Sequence, residues 1–291
     1  MINGIITKGI GGFYYVVTEQ GDVVECRGRG KLRKMKIKPL VGDRVNITVV
    51  GSQGAVEEIL PRKNSLIRPT VANIDRIAVV IAAAMPSPDF FVMDKLIAFA
   101  EHRGIEVVVC VNKTDLASPD QVVNVYEKAG YRVIPVCAVD NKGLEPLGEI
   151  ISHGVTAFAG NSGVGKSSIL NALGFSLETG SVSKTEHGRH TTRHVELMPF
   201  GESGFVIDTP GFSLIDMTEL RASEISDCFK EFRDLEPCEY SDCMHIGAKG
   251  CNVIRAVEEG RIAPSRYESY KVIYNELKDI KEWQRTDDIT N

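Results

Sequence analysis

Apolar and polar residues alternate over five short stretches in the first 66 residues, and glycine-containing turns separate these stretches. An alternation with a period of two is typical of strands that bury one face. Five such strands in so few residues favour a small barrel. We therefore predict a five-stranded OB-type β-barrel over residues 1–66, built from NGIITKGI, FYYVVT, DVVECR, DRVNITVV and GAVEEIL.

After NSLIRPTVAN at 64–73, which we interpret as a linker, apolar runs alternate with amphipathic segments. Ser87-Pro88 and Ser118-Pro119 each offer a capping hydroxyl followed by proline, which predicts a helix start. This alternation favours a mainly parallel sheet covered by helices on both faces. Residues 67–222 are therefore predicted to form an α/β domain with strands at 77–83, 106–111, 132–137, 155–159, 194–200 and 205–207.

From about residue 223 no strand pattern persists, and residues 223–291 are predicted to form a helical module. Its last helix begins at about Ser265 and carries an apolar stripe at helical spacing. We interpret the stripe as internal packing rather than as a groove for a partner. Its members are Tyr270, Ile273, Tyr274, Leu277 and Ile280.

Composition narrows the class of protein. The chain has 291 residues, 43% of them hydrophobic and 25% charged, as in globular proteins of more than one domain. Its longest apolar run, IAVVIAAAM at 77–85, has 9 residues, whereas a membrane helix needs about 20. We expect a cytoplasmic monomer without a membrane partner.

Charge is distributed unevenly. Residues 1–66 contain 11 Lys/Arg and 6 Asp/Glu, a balance of +5, while the whole chain carries -5. The segment RGRGKLRKMKIK at 27–38 has seven basic residues and no acidic residue. On an OB barrel such a loop borders the usual nucleic-acid face, which predicts RNA contact. A solvated surface loop is the alternative.

A phosphate-binding loop is the most specific motif. GNSGVGKS at 160–167 fits GxxxxGKS and lies between an apolar strand and a helix, the context the motif requires. Backbone N–H groups would surround the phosphates, Lys166 would reach the β- and γ-phosphates, and Ser167 would bind Mg²⁺. The predicted contacts are Gly160, Asn161, Ser162, Gly163, Val164, Gly165, Lys166, Ser167 and Ser168.

A base-reading motif lies upstream of that loop. In Asn112-Lys113-Thr114-Asp115, the Asp115 carboxylate can accept two hydrogen bonds from guanine, and adenine would leave that charge unpaired. Lys113 would lie along the base, Asn112 would tie this loop to the phosphate loop, and the Ala138 backbone N–H would bind the guanine oxygen. Read alone, NKTD could be a turn and helix cap; with the phosphate loop it predicts GTP.

Catalytic groups are predicted downstream. In DTPG at 208–211, Asp208 would hold Mg²⁺ and the Gly211 N–H would sense the γ-phosphate. In GRHTTR at 188–193, Thr192 would be the switch threonine and a further Mg²⁺ ligand, with Thr191 as the alternative. Phe212 stands where many guanine switches carry a water-orienting Gln. We therefore propose His190 for that role, with Arg189 and Arg193 as alternatives and a solvated or RNA-contacting His190 left open.

Three of the seven cysteines cluster near one histidine. Cys238, Cys243, His245 and Cys251 supply three thiolates and one imidazole, a closed set for one structural Zn²⁺. Metal binding would supply most of the folding energy of this segment. Reduced cysteines packed as small apolar groups are the alternative, and Cys228, outside the pattern, is predicted to be in the core.

The motif order is base reader, base loop, phosphate loop, switch threonine and DTPG, a circular permutation of the ordinary order. The sheet survives permutation if the original termini are close, and ISHGVT at 151–156 is short enough to join them. The segment after DTPG then leads directly into the C-terminal module, which links a γ-phosphate-sensitive switch to another domain.

Over essentially its whole length the chain resembles the circularly permuted ribosome small-subunit-dependent GTPase family of the RsgA type. The resemblance implies a barrel, a permuted P-loop GTPase domain and a zinc module. It also implies GTP hydrolysis stimulated by the small ribosomal subunit, contact with its rRNA, and a role in its late maturation. A nucleotide-gated RNA-binding scaffold with incidental hydrolysis is the alternative, while Asp115 disfavours an ATP-dependent enzyme.

Overall fold

The structure, a computed structural model, describes residues 1–30, 37–51, 53–67, 69–177, 195–208, 217–281 and 285. Among these residues no helix is both long and apolar enough to cross a membrane. One apolar cluster extends from Ile5 in the N-terminal strand to Leu277 in the last helix, so the three predicted modules share a continuous core.

The N-terminal residues form the predicted barrel. Its strands close in the order β1-β2-β3-β5-β4, and β3 pairs with β5 in parallel while the other pairs are antiparallel. The interior is filled by side chains such as Ile6, Val16 and Ile47, all buried. The strands are β1 Ile2–Ile10, β2 Phe13–Thr18, β3 Val23–Gly28, β4 Arg44–Val50 and β5 Gln53–Ile59.

The segment predicted to be a linker is part of the folded structure. It contains a short antiparallel pair, β6 Ser65–Leu66 with β7 Val71–Ala72. The Ala72 N–H donates to the Val41 carbonyl at 2.8 Å, which attaches the pair to the barrel. The reason is apolar burial, since Leu66 and Val71 enter the shared core. The domain boundary at residue 66 stays a prediction.

A six-stranded sheet follows, in the order β10-β9-β8-β11-β13-β12, and only β12 runs antiparallel to its neighbour. The predicted runs are confirmed as strands, with two shortened: the run at 132–137 ends at Pro135, and the run at 194–200 is a strand only from Met198. The strands are β8 Arg76–Ala82, β9 Glu106–Asn112, β10 Arg132–Pro135, β11 His153–Ala159, β12 Met198–Phe200 and β13 Ser203–Asp208.

Helices cover both faces of this sheet, as predicted. Odd-numbered residues of β8 share one apolar cluster with α1 and α2, and even-numbered residues share another with α3 and α4. The β-strand period of two explains this division, because successive side chains point to opposite faces. The helices are α1 Phe90–His102, α2 Asp120–Lys128, α3 Leu144–Ile151 and α4 Lys166–Ala172.

One of the two predicted helix starts is wrong. The Ser118 hydroxyl accepts from the Asp120 N–H at 3.2 Å, as expected for a capping hydroxyl, although α2 begins at Asp120 and Pro119 occupies its N-cap position. Helix α1, however, is capped by Asp89 rather than Ser87, and the Asp89 carboxylate accepts from the Val92 N–H at 3.1 Å. Aspartate caps as well as serine does, so the local sequence is compatible with a cap at either position.

The C-terminal module is helical, as predicted. Three residues of the predicted stripe, Tyr270, Ile273 and Leu277, are buried, which confirms the packing interpretation. The module comprises a 3₁₀ turn Ile225–Cys228, α5 Lys230–Arg233, α6 Asn252–Glu258 and α7 Pro264–Lys278.

A buried ionic network joins this module to the sheet domain. Arg266 on α7 donates to Asp94 on α1 at 2.6 Å and to Glu231 on α5 at 2.6 and 3.0 Å. The Tyr126 hydroxyl on α2 donates to Asp94 at 2.9 Å. The guanidinium also lies 4.6 Å from the ring centroid of Phe229. A buried charge requires such partners, so the network fixes α7 against α1.

Candidate nucleotide-binding and zinc sites

Glycines shape the phosphate loop, which connects β11 to α4. Gly160 has φ +136°, and a Cβ there would lie 2.2 Å from the Val80 carbonyl oxygen. Gly165 has φ +93°, and its Cβ would lie 2.3 Å from Asn112 Nδ2. Each position combines a left-handed backbone with a close approach, so the loop requires glycine at both.

Lys166, the first residue of α4, folds back over the loop. Its amine donates to the carbonyl of Gly160 at 2.8 Å and to that of Asn161 at 2.9 Å. The amine therefore lies at the mouth of a glycine-shaped loop, the place where the motif needs a positive charge near phosphate oxygens. Ser167 follows it in the first turn of α4.

Asn112 links the base-reading segment to this loop. It is the last residue of β9 and is buried. Its side-chain N–H donates to the Val164 carbonyl at 2.9 Å, and its Oδ1 accepts from the Ala138 N–H at 3.3 Å. One amide therefore joins three loops, and the tie expected of Asn112 is present. Because the Ala138 N–H donates to Asn112 here, its bond to guanine stays a prediction.

The other residues of NKTD lie at the same edge of the sheet. Lys113 has φ +63°, and its amine donates to the Met85 carbonyl. The Thr114 hydroxyl donates to the Val136 carbonyl at 3.2 Å. Asp115 is exposed, so its carboxylate is open to a base arriving from solvent.

Cys137 contacts Asp115, a role that sequence reasoning missed. The buried Cys137 thiol donates to Asp115 Oδ1 at 3.3 Å, which restrains the carboxylate while leaving it exposed. No motif in the sequence assigns Cys137 a role at this site. Its position at the end of the predicted strand 132–137, level with the base reader, was the available signal.

Sheet order shows how the permuted motifs meet. β8, β9 and β10 precede β11 in sequence but lie together on one side of it in the sheet. Parallel strands end at a common edge, so NKTD after β9 and the phosphate loop after β11 lie at that edge. Helix α3 ends at Ile151 and β11 begins at His153, so Ser152 alone joins them. The short junction predicted for a permuted domain is confirmed.

The predicted magnesium and catalytic residues are described only in part. Asp208 ends β13 and pairs with Phe158 of β11, which places its backbone beside the strand that leads to the phosphate loop. Its side chain lies outside the described residues, as do His190, Thr192 and Gly211 and the alternatives Thr191, Arg189 and Arg193. Their roles stay predictions.

The three cysteines and one histidine predicted to bind zinc come together. Their ligand atoms all lie within 4.8 Å of one another. The Cys238 and Cys251 sulfurs are 3.9 Å apart, and each is 3.5 Å from His245 Nδ1. Tetrahedral Zn²⁺ with ordinary bond lengths requires about 3.8 Å between two sulfurs and about 3.6 Å between sulfur and nitrogen. The set, which also includes Cys243, fits zinc.

The surroundings favour the metal-binding form of Cys238 and His245 but not that of Cys251. Burial acts to raise the pKa of Cys238, but hydrogen bonds led by that from the Asn252 N–H, 3.3 Å away, lower it overall. Burial lowers the pKa of His245, which favours its neutral form. Burial raises the pKa of Cys251 to about 11, so a bound cation would have to stabilise this second thiolate.

Helix α7 donates two hydrogen bonds to the backbone of the zinc-binding loop. The Tyr267 hydroxyl donates to the His245 carbonyl at 2.8 Å, and the Tyr270 hydroxyl donates to the Met244 carbonyl at 2.7 Å. Cys228, which the sequence placed in the core, is buried and takes no part in the cluster. The ligands and their supporting hydrogen bonds therefore form one packed unit with α7.

Two family models match the chain, one over the barrel and one over the sheet domain. The family model for the RsgA GTPase matches residues 59–218, and that for the RsgA N-terminal domain matches residues 3–56. A protein of Ruminiclostridium cellulolyticum named small ribosomal subunit biogenesis GTPase RsgA is 45% identical, over 97% of this chain and 95% of that protein. A protein of the same name from Alkaliphilus metalliredigens is 43% identical over 96% of this chain and 98% of its own.

Two solved structures share the fold. YjeQ from Thermotoga maritima is 35% identical, with a TM-score of 0.83 over 96% of this chain and 99% of that one. YloQ, described as a circularly permuted GTPase, is 35% identical, with a TM-score of 0.82 over 97% of this chain and 96% of its own.

Proposed function

The chain belongs to the RsgA family of GTPases, and on that premise we propose that its hydrolysis of GTP to GDP and phosphate serves the late maturation of the small ribosomal subunit. The observation that carries the nucleotide part is the Asn112 side chain, which joins NKTD to the phosphate loop. The ribosomal part rests on the names of relatives that match nearly the whole chain. We further propose that the protein acts as a cytoplasmic monomer.

We propose a task in GTP binding for each of these groups. Asp115, restrained by Cys137, would accept hydrogen bonds from guanine, and the Lys166 amine would exchange its carbonyl contacts for phosphate oxygens. Ser167, Asp208 and Thr192 would hold Mg²⁺, which neutralises charge on the β- and γ-phosphates when bound. The phosphate loop would also contact GTP through its backbone N–H groups, at the positions predicted from the sequence.

The proposed catalytic group is His190. Phe212 lacks a polar group that could orient water, so we expect slow turnover by the free protein and dependence on a partner. His190 would orient the attacking water beside Thr192, and Gly211 would sense the γ-phosphate. These three assignments rest on sequence.

RNA contact is proposed for the barrel and the zinc module. Arg27 and Arg29 are exposed at the end of β3, where the strongly basic segment begins. The zinc ion would be structural, because four protein ligands fill its coordination sphere. The barrel and the C-terminal module contact the sheet domain through one apolar core, so a particle bound by both could act on the GTPase domain between them.

The test is GTP turnover by the full chain with and without purified small ribosomal subunits, at several salt concentrations. We expect stimulation by small subunits that weakens as salt rises, because phosphate contacts release counterions. Two controls are needed. Purified large subunits should not stimulate GTP turnover, and small subunits should not stimulate turnover by the Lys166→Ala variant. Equal turnover with and without small subunits would contradict the proposal. A Lys166→Ala variant that still supports subunit maturation would favour the alternative of an RNA-binding scaffold with incidental hydrolysis.

A further inference from the structure

An aromatic ring and a guanidinium form an open stack on the outer surface of the barrel. Phe13 begins β2 and pairs in register with Arg27 near the end of β3. Val16 and Cys26 face the interior, whereas Phe13 is half-buried and Arg27 is exposed. The Arg27 guanidinium carbon lies 4.5 Å from the centroid of the Phe13 ring. The two groups present a mixed aromatic and cationic surface to solvent.

A groove of about 340 Å³ lies against this stack. Besides Phe13 and Arg27, its walls are glycines: Gly11, Gly12, Gly28 and Gly30. Gly11 and Gly12 need a flexible backbone, since their φ values are +60° and +85° in the turn between β1 and β2. Gly30 has no positive φ, and a Cβ there would meet no atom of the described residues within 4 Å, so the groove is open at this position.

Electrostatics at the groove favour a polyanion. Among the described residues, no carboxylate forms an ion pair with Arg27, whereas its neighbour Arg29 pairs with Glu57 at 3.0 Å. Glu25, two residues before Arg27, accepts a hydrogen bond from the Tyr15 hydroxyl at 3.0 Å. The sequence after Gly30 adds further Lys and Arg. The cation beside the groove can therefore be shared with a ligand.

These features match one kind of ligand. Bases of single-stranded RNA stack on aromatic rings and on arginine guanidinium planes, while Arg or Lys neighbours contact the phosphates. The outer face of strands 2 and 3 and the adjoining turn are where OB barrels bind oligonucleotides. The carboxylates of an acidic peptide could use the charge but, unlike nucleobases, are not flat rings that cover the stack. A base inside a duplex is stacked on both sides and could not enter.

We propose that Phe13 and Arg27 form a stacking platform for one unpaired nucleotide of RNA, with its base in the glycine-walled groove. This inference rests on the proposed function, because it specifies how the barrel would contact rRNA. The inference adds that this contact requires an unpaired base. Binding through charge alone would not require one.

The test measures binding of the full chain to a short fluorescent single-stranded oligoribonucleotide and to a duplex of the same sequence, at several salt concentrations. Phe13→Ala should weaken binding of the single strand by about 5- to 150-fold, the range found for loss of one stacked base, without changing the salt slope. Phe13→Leu, which keeps apolar bulk and guards against misfolding, should also weaken it by about 5-fold or more. Binding of the duplex should not change.

Arginine variants separate stacking from charge. Arg27→Gln should weaken single-strand binding and reduce the salt slope by up to about 0.7, as expected for one cation fewer beside the strand. Arg27→Lys should restore the slope but not the affinity. Arg29→Gln removes the same charge two residues away, and it should weaken binding less than Arg27→Gln.

The inference is overturned if Phe13→Leu binds the single strand as tightly as the unmodified chain, or if it weakens single strand and duplex equally. Failure of the proposed function is a separate result. If small subunits do not stimulate GTP turnover by the unmodified chain, the proposed function fails whatever Phe13 does. If stimulation occurs and the Phe13 variants bind RNA normally, this inference alone fails.

Discussion

Replacing Arg266 by methionine removes the cation from the buried network between α7 and α1. Asp94 and the Glu231 side chain are both buried, so neither carboxylate could be solvated in place of its lost partner. Methionine retains much of the apolar stem and fits the aromatic surroundings, including Phe229. The variant therefore tests the charge rather than the volume.

The expected loss of stability is large. Removing one member of a buried ion pair costs about 3–5 kcal/mol, because the remaining charge stays buried and uncompensated. Loss of the guanidinium contact with Phe229 adds up to about 2 kcal/mol. Domains are stable by only about 5–15 kcal/mol, so a loss of this size is a large fraction of the total. Urea unfolding followed by circular dichroism measures it.

The loss should depend on pH in a defined direction. Burial raises the pKa of Asp94, and Arg266 opposes this shift. Without Arg266 the pKa rises further above the unfolded value of about 3.9, so the folded state binds more protons than the unfolded state. Stability of the variant relative to the unmodified chain should therefore increase as pH falls from 8 toward 5.

A matched control and a repair variant complete the test. Arg255 forms an ion pair with Glu259 at 3.8 Å, with both side chains about half exposed, so Arg255→Met should cost about 0.3–0.5 kcal/mol. The triple variant Asp94→Asn, Glu231→Gln, Arg266→Met should recover part of the loss, since no charge is then buried. A loss below about 1 kcal/mol for Arg266→Met, or one that grows as pH falls, would refute the reasoning.

Two further variants test the candidate sites. Gly165→Ala should abolish measurable GDP binding, because its Cβ would displace Asn112; Gly174→Ala, where φ is +101° and nothing lies within 4 Å, is the control and should bind normally. If Gly165→Ala binds GDP normally, Asn112 is not the required link. Metal analysis should detect one zinc ion per chain in the unmodified protein and in the control variant Cys228→Ala. Cys251→Ser should lose this zinc. If the unmodified protein contains no zinc after expression in zinc-containing medium, the proposed metal site is contradicted.

Features with a local cause were predictable from the sequence. Strands β1 to β5 coincide with alternating apolar and polar residues, and β8 coincides with an apolar run. These patterns are visible in the sequence because each residue's polarity depends on which face of the strand is buried. The tie between Asn112 and the phosphate loop followed from two motifs whose relative geometry is fixed by the sheet. The zinc ligands lie within fourteen positions of one another, from Cys238 to Cys251.

Features that depend on distant or competing groups were not predictable. Arg266 and Asp94 are 172 positions apart, and nothing in their local sequences pairs them. The cap of α1 was misassigned because Ser87 and Asp89 are equally suitable caps and the sequence does not choose between them. Cys137 gained a role only when β10 brought it beside Asp115, which is 22 positions away.

The most direct test of the central claim, a guanine site assembled from permuted motifs, is calorimetric titration of the full chain with GDP and with ADP. We expect tight GDP binding and no measurable ADP binding, since a site built to hydrogen-bond one purine edge can reject another by about 10⁴ or more. We also expect that Asp115→Asn loses the preference for guanine. Equal affinity for GDP and ADP, or an unchanged preference in Asp115→Asn, would contradict the claim.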